Sequence, residues 1–184
     1  MCGAVCLSDL SVVDSRRVYD GKVINLRVDR VRLLGSVFER EVVEHPGAVA
    51  MLPFLDDKRL LLIKQYRHAV GKVLFEIPAG TLEEGEDPQE CARRELIEET
   101  GYEASVLEKL FSCFLAPGYS SEVIHVFLAS KLRKMGRRLE VDEVIEPEPM
   151  TLEKAEAMIK NGGIMDAKSI CGISYLLLTR GLRR

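Results

Sequence analysis

An α+β or α/β sandwich with a mixed sheet and an N-terminal β-rich extension is the fold the sequence predicts, and three observations carry that prediction. Apolar residues alternate through residues 18–43, strand-like runs recur on both sides of one strongly capped helix, and helical periodicity returns only near the C-terminus. The 184 residues, 47% hydrophobic and 30% charged, suffice for a substantial core. No repeat, linker or low-complexity tract divides the chain. What appears instead is a change of periodicity, with a β-rich extension expected over residues 1–45 ahead of a main domain over residues 46–184.

The elements follow in order. Val23, Ile24, Leu26, Val28, Val31 and Leu33 alternate up to a break at Leu34-Gly35-Ser36. Phe38, Val42 and Val43 resume beyond it, which predicts paired strands. Residues 48–54, 59–65, 73–77, 106–114 and 123–129 are further β-rich runs, and Asp56-Asp57-Lys58 reads as a hairpin turn between the first two. For a helix over Pro88–Thr100, Asp87 is the N-cap, Pro88 suits the first helical position, Glu90 completes a capping-box pattern and Gly101 is the stop. Thr151 opens a second helix with Leu152, Ala155, Met158 and Ile159 as its apolar face and Gly162-Gly163 at its end. A third helix is predicted over Ala167–Arg180.

Composition excludes several functions. Lys+Arg at 26 against Asp+Glu at 29 leaves a net charge of −3. With a pI near 5.7 the bulk electrostatics speak against nucleic acid as partner. The run from Lys131 to Arg138 reads as a solvated hairpin. Five cysteines without CxxC spacing speak against structural zinc. The first ten residues lack a signal peptide's basic start, and no apolar run is long enough for a bilayer. A cytoplasmic protein with reduced thiols and no membrane partner is the expectation. His45, His68 and His125 show no ligand spacing.

The chemistry lies on the first helix. Glu95, Glu98 and Glu99 stand at i, i+3 and i+4, so three carboxylates project from one face. Ala92 and Leu96 flank them at positions expected to face the core, which places the carboxylates in a cleft in need of a counterion. Mg²⁺, a hard cation that keeps substrate phosphate and water among its ligands, meets that need. The preceding Ile77-Pro78-Ala79-Gly80-Thr81 is a glycine-containing loop able to aim backbone groups at a metal or anion.

Gly80, five residues, Glu86, seven residues, and then Arg94-Glu95-Leu96-Ile97-Glu98-Glu99-Thr100-Gly101-Tyr102 follow one another without a gap. This resembles the Nudix box, G-x5-E-x7-R-E-U-x-E-E-x-G-U, with Tyr102 as the last bulky apolar position. The resemblance implies a Nudix-like α/β/α sandwich, cleavage of a nucleoside diphosphate linked to another group, and Mg²⁺ or Mn²⁺ as cofactor. It also implies Glu95, Glu98, Glu99 and the carbonyl of Ala79 as metal ligands. Arg94, one turn before Glu98, orients a carboxylate, and Glu86 has a similar supporting part. Cys91 reads as a small buried residue.

Pro117, sixteen positions beyond Gly101 and inside Leu115-Ala116-Pro117-Gly118-Tyr119-Ser120-Ser121-Glu122, is similar to its counterpart in ADP-ribose pyrophosphatases. Arg40-Glu41-Val42-Val43-Glu44-His45-Pro46-Gly47, Gln65-Tyr66-Arg67 and Phe75-Glu76-Ile77-Pro78-Ala79-Gly80 add to that resemblance. It implies that Arg67 approaches the diphosphate or the terminal ribose, where a guanidinium fork suits phosphate, with a surface ion pair as the alternative. Arg40 and Glu41 either contact adenine or form a cross-strand pair. Tyr19 and Phe38 are core or interface residues, or stack on adenine.

The candidate catalytic carboxylates are Glu143, Glu122 and Glu98. By the same resemblance Glu143 is the best match for the general base. Where related sequences carry a second glutamate two positions earlier this chain has Val141, so either Glu140 or Asp142 replaces it or the base lies elsewhere, and Glu122 is another candidate for metal or base. The implied reaction converts ADP-ribose to AMP and ribose 5-phosphate. ADP-glucose or GDP-mannose is the alternative substrate, and a non-catalytic ADP-ribose sensor the rival of another class. A homodimer through the N-terminal strands is implied as well.

Overall fold

In the computed structural model residues 10–137 and 144–180 are described. The chain forms two compact units, residues 1–47 with 114–123 and residues 48–113 with 124–184.

The larger unit is built around β4 (Ala48–Pro53), every residue of which is buried. β4 runs parallel to β9 (Val123–Lys134) on one edge and antiparallel to the short β7 (Ala79–Thr81) on the other, and β8 (Tyr102–Phe114) completes the mixed sheet in the order β7-β4-β9-β8. A second sheet joins β10 (Ile145–Thr151), β5 (Arg59–Arg67) and β6 (Lys72–Glu76), all antiparallel. Three helices, α1 (Pro88–Thr100), α2 (Leu152–Lys160) and α3 (Ala167–Arg180), lie among the described residues.

Successive residues of β4 serve opposite faces, as the pleat requires. Met51 and Val49 form a fully buried cluster with Cys91, Ala92 and Leu96 of α1 and with Phe127 of β9. Leu52 meets α3 instead, where a Cβ on Gly172 would lie 3.3 Å from Leu52 Cδ1 and 3.4 Å from Ile77 Cδ1. Helix, sheet and helix are thus layered as the sandwich requires. No helix among the described residues is long and apolar enough to cross a membrane.

Three expectations need correction. Asp56 does make the turn after β4: its carboxylate accepts from Lys58 N (3.0 Å) and Arg59 N (2.8 Å), and Phe54 and Leu60 form a lone antiparallel bridge. The two strands nevertheless enter different sheets. Both edges of β4 are taken, by β7 and β9, so β5 pairs with β6 and β10 instead of closing a hairpin. Lys131–Lys134 is not a hairpin either, since it continues β9, with Leu132 packed on the core and Arg133 paired to Glu103 at 2.6 Å. Finally, α1 begins and ends as the capping residues dictate, with Asp87 accepting from Gln89 N and Glu90 N and Gly101 in the left-handed region (φ 77°). Glu90 does not close the box, because its carboxylate turns to Arg93 at 3.5 Å.

The smaller unit is an antiparallel sheet of β1 (Ser11–Asp20), β2 (Asn25–Leu33) and β3 (Ser36–Glu44), with Leu34-Gly35 turning at positive φ (51° and 79°) as the break predicts. Every residue of β1 is exposed. One face carries a polar ladder. Buried Asp29 accepts from Ser15 Oγ (2.6 Å) and from Arg27 Nε (3.1 Å), and Glu44 receives Arg27 (2.5 Å) and Arg17 (2.8 Å). Register places Val12, Val31 and Phe38 side by side on this sheet, and Val12 and Phe38 are open to solvent. Residues 114–123 join through Val43, which donates to Tyr119 O (2.8 Å) and accepts from Ser121 N (2.9 Å).

Candidate active site

The acidic face of α1 is assembled against the segment that leads into it. Glu99 is almost wholly buried, and its Oε2 accepts the backbone N–H of Ala79 at 3.0 Å. Gly80 explains itself here: a Cβ would lie 1.8 Å from Cδ of Glu95, so the Glu95 carboxyl occupies the volume that any other residue would fill. Ala79, Gly80, Glu95 and Glu99, apart in sequence, are therefore neighbours.

Arg94 binds the remaining carboxylates together. Its Nε and Nη2 donate to the two oxygens of Glu86, each at 3.0 Å, and its Nη1 donates to Glu95 Oε1 (2.8 Å) and Glu98 Oε2 (3.1 Å). The Arg94 bond holds Glu86 far below the usual carboxylate range, down to about 2. Arg94 itself is raised by the same pairing. Cys91 is fully buried, and burial with Glu86 close by pushes its thiol up to about 12, which leaves it a neutral packing residue. The supporting parts predicted for Arg94 and Glu86 are the parts the geometry gives them.

Arg67 lies at the end of β5 and is bidentate to Glu76, with Nε to Oε1 at 2.8 Å and Nη2 to Oε2 at 2.7 Å. Glu76 is not a surface residue: it is 1% exposed, and Lys168 of α3 donates to the same Oε2. Burial alone would raise the Glu76 carboxyl, but the Arg67 bonds and the Lys168 charge outweigh it and leave the group lowered. The Glu76 bond raises Arg67, and the charges of Glu99 and Asp166 add to that rise, so Arg67 stands within electrostatic reach of the acidic helix. Nη1 of Arg67 has no hydrogen-bond partner among the described residues.

The sequence offered nothing for Lys168, Asp166 or Ser169, which stand about a hundred residues beyond Arg67. Glu76 stands inside the run of residues 75–80, where no sequence pattern gives it a role. Only a carboxylate next to the box, with an arginine nine residues before it on the neighbouring strand, could have signalled it.

Arg40, Glu41, Pro117 and Glu122 fall in the smaller unit. Arg40 and Glu41 are successive residues of β3 and so face opposite sides of their sheet. Neither forms an ion pair among the described residues, and the Arg40 guanidinium lies 5.5 Å over the Phe38 ring. Pro117 is exposed on a turn closed by Tyr119 N and Ser120 N on Ala116 O (3.1 and 2.9 Å). Glu122 is half-buried, and its N–H donates to Ser120 Oγ. Glu143, with Glu140 and Asp142, lies outside the described residues.

An all-oxygen set of three carboxylates and one backbone carbonyl suits a hard divalent cation. The Gly80 cradle, shaped to the Glu95 carboxyl, fits that role. Among the described residues no three acidic, His or Cys side chains yet converge as a cage. Arg94 supplies the cationic charge between Glu95 and Glu98.

The NUDIX domain family matches residues 44–170, more than half of the chain. The chain belongs to the Nudix family. As a Nudix protein it is 41% identical over 174 residues to the ADP-ribose pyrophosphatase of Bacillus subtilis strain 168, covering 93% of this chain and 94% of that one. It is 38% identical to the methanol dehydrogenase activator of Bacillus methanolicus, covering 96% and 97%. A solved structure described as an ADP compounds hydrolase superposes with a TM-score of 0.84 over 95% of this chain and 96% of that one, at 19% identity, which shows a shared fold.

Proposed function

We propose that this Nudix protein hydrolyses the diphosphate of ADP-ribose to AMP and ribose 5-phosphate, with Mg²⁺ or Mn²⁺ as cofactor. The observation that carries the reading is the complete acidic face of α1 held against Ala79 and Gly80 and braced by Arg94. Similarity over more than nine-tenths of the chain to an ADP-ribose pyrophosphatase supports the substrate.

Glu95, Glu98, Glu99 and the Ala79 carbonyl would hold the ion. When bound, it neutralises diphosphate charge and polarises a P–O bond. Arg94 keeps the mutually repelling carboxylates in place before substrate arrives. Arg67, anchored edge-on by Glu76, offers its free Nη1 to a diphosphate oxygen. Glu143, or Glu122, takes the proton of the attacking water. A new P–O bond forms, the P–O–P bridge breaks, and the phosphate leaving group departs as one product. In this reading Pro117 shapes the pocket of the terminal ribose, and adenine is received by one of Arg40 and Glu41, which face opposite sides of β3.

Residues 1–45 act in this reading as an extension that pairs two copies, and residues 46–184 as the hydrolase domain. The apolar row of Val12, half-buried Val31 and Phe38, open to solvent at Val12 and Phe38, on a sheet with a wholly exposed edge strand supports a homodimer. The partner is a small nucleoside diphosphate sugar rather than nucleic acid or membrane. The setting is cytoplasmic, in keeping with free Cys91, Cys113 and Cys171. Incubation with ADP-ribose should release AMP and ribose 5-phosphate when Mg²⁺ or Mn²⁺ is present and neither product in EDTA. Absence of AMP under both metals would overturn the reading.

A further inference from the structure

Glu76 holds more positive charge than its own satisfaction requires. A bidentate arginine already engages both oxygens of the carboxylate and balances its single negative charge. Yet Lys168, itself nine-tenths buried, donates to Oε2 as well. Burying a second cation costs solvation, and buried ion pairs seldom repay it as stability. Lys168 in turn needs Asp166, whose Oδ1 lies 3.0 Å from Nζ. The other Asp166 oxygen, Oδ2, caps α3 by accepting Ser169 N (3.0 Å) and Ser169 Oγ (2.5 Å). The buried Ser169 hydroxyl oxygen then accepts Ile77 N at 2.8 Å. The first turn of α3 therefore grips the chain at residues 76 and 77, two positions before Ala79.

We propose that Lys168 is a positioning residue for Arg67, fixing the shared Glu76 carboxylate from behind so that the guanidinium is held by its Nε–Nη2 edge and presents Nη1 to the substrate diphosphate. The proposal rests on the reading of Arg67 as a diphosphate ligand. Two consequences follow. Glu76 cannot rotate, so the fork of Arg67 has one direction. Lys168 also carries part of the neutralisation of Glu76, so Arg67 keeps more of its charge for a third, external anion. Without Lys168, a desolvated carboxylate would draw on Arg67 alone.

The test is a double-mutant cycle on the full-length protein with ADP-ribose and Mg²⁺. Lys168→Met, similar in length and apolar, should raise KM about tenfold and leave kcat within about twofold, since a charge-assisted contact to the bound substrate is weakened. In an Arg67→Ala background the same change should leave KM unmoved. Asp166→Asn, which retains an N-cap, guards against a Lys168 variant that fails to fold. It removes the charge opposing Lys168 and should lower KM. A folded Lys168→Met with unchanged KM, an undiminished KM rise in the Arg67→Ala background, or a higher KM in Asp166→Asn would overturn the proposal. If Arg67→Ala raises KM while Lys168→Met does not, only the positioning role fails. If Arg67→Ala is itself neutral, the diphosphate reading falls and the positioning role with it.

Discussion

The acidic helix and the N-terminal sheet use charge in opposite ways. In the larger unit, Glu86, Glu95 and Glu98 share one arginine and Glu99 is buried, all over a core in which Cys91, Ala92 and Leu96 have no exposed surface. In the smaller unit the buried residue of the sheet is the polar Asp29, while Val12, Val18, Tyr19 and Phe38 face solvent. One region places charge on apolar support. The other holds its strands with a polar ladder and leaves apolar side chains outside. The proposed function places chemistry on the charge cluster over the dry core and a second copy of the chain on the apolar face of the sheet with little core of its own.

The strongest way to break this comparison is to remove charge from the helix. Glu98→Gln should lower turnover at saturating Mg²⁺ by roughly a hundredfold or more, with Tm within about 2–4 °C of wild type, because a half-exposed partner of Arg94 is lost and no core contact is. Near-normal turnover would remove Glu98 from the metal set. Gly80→Ala should come next, with about a ten- to hundredfold loss of turnover, since its Cβ displaces the Glu95 carboxyl. If Gly80→Ala is fully active, the cradle has no bearing on catalysis.

Smaller effects sharpen the contrast. Phe38→Glu in the exposed row should weaken self-association about tenfold by light scattering or sedimentation. An unchanged monomeric state in both proteins would leave that surface without its partner. The smallest effect is on pH. Glu86 is depressed in the folded state, so its contribution to stability is present above the unfolded carboxylate range and is lost as pH falls toward about 2. The Tm difference between wild type and Glu86→Gln should therefore be constant near neutrality and vanish as pH approaches 2. A difference that grows on acidification would contradict the Arg94 pairing.

What could be read from the chain is what local chemistry specifies. Asp87, Pro88 and Gly101 set both ends of α1, and a fixed spacing brought Gly80 and the three glutamates to one face. The pairing of β4 escaped because it depends on which edges β7 and β9 claim, and a turn at Asp56 reads alike whether or not its strands share a sheet. Lys168 escaped for a related reason: a lysine near a helix start is ordinarily a surface residue. Only the packing of α3 on β4 and Ile77 brings it to Glu76.

The central claim is that the braced acidic helix and the anchored Arg67 together serve ADP-ribose. It is tested most directly by kcat/KM for ADP-ribose, ADP-glucose, GDP-mannose and ATP in one competition series, with wild type and Arg67→Ala. The account predicts that ADP-ribose ranks first and that Arg67→Ala lowers its kcat/KM about ten- to a hundredfold, the cost of one charge-assisted contact. A preference for GDP-mannose or ATP, or an Arg67→Ala protein with wild-type kcat/KM, would contradict it.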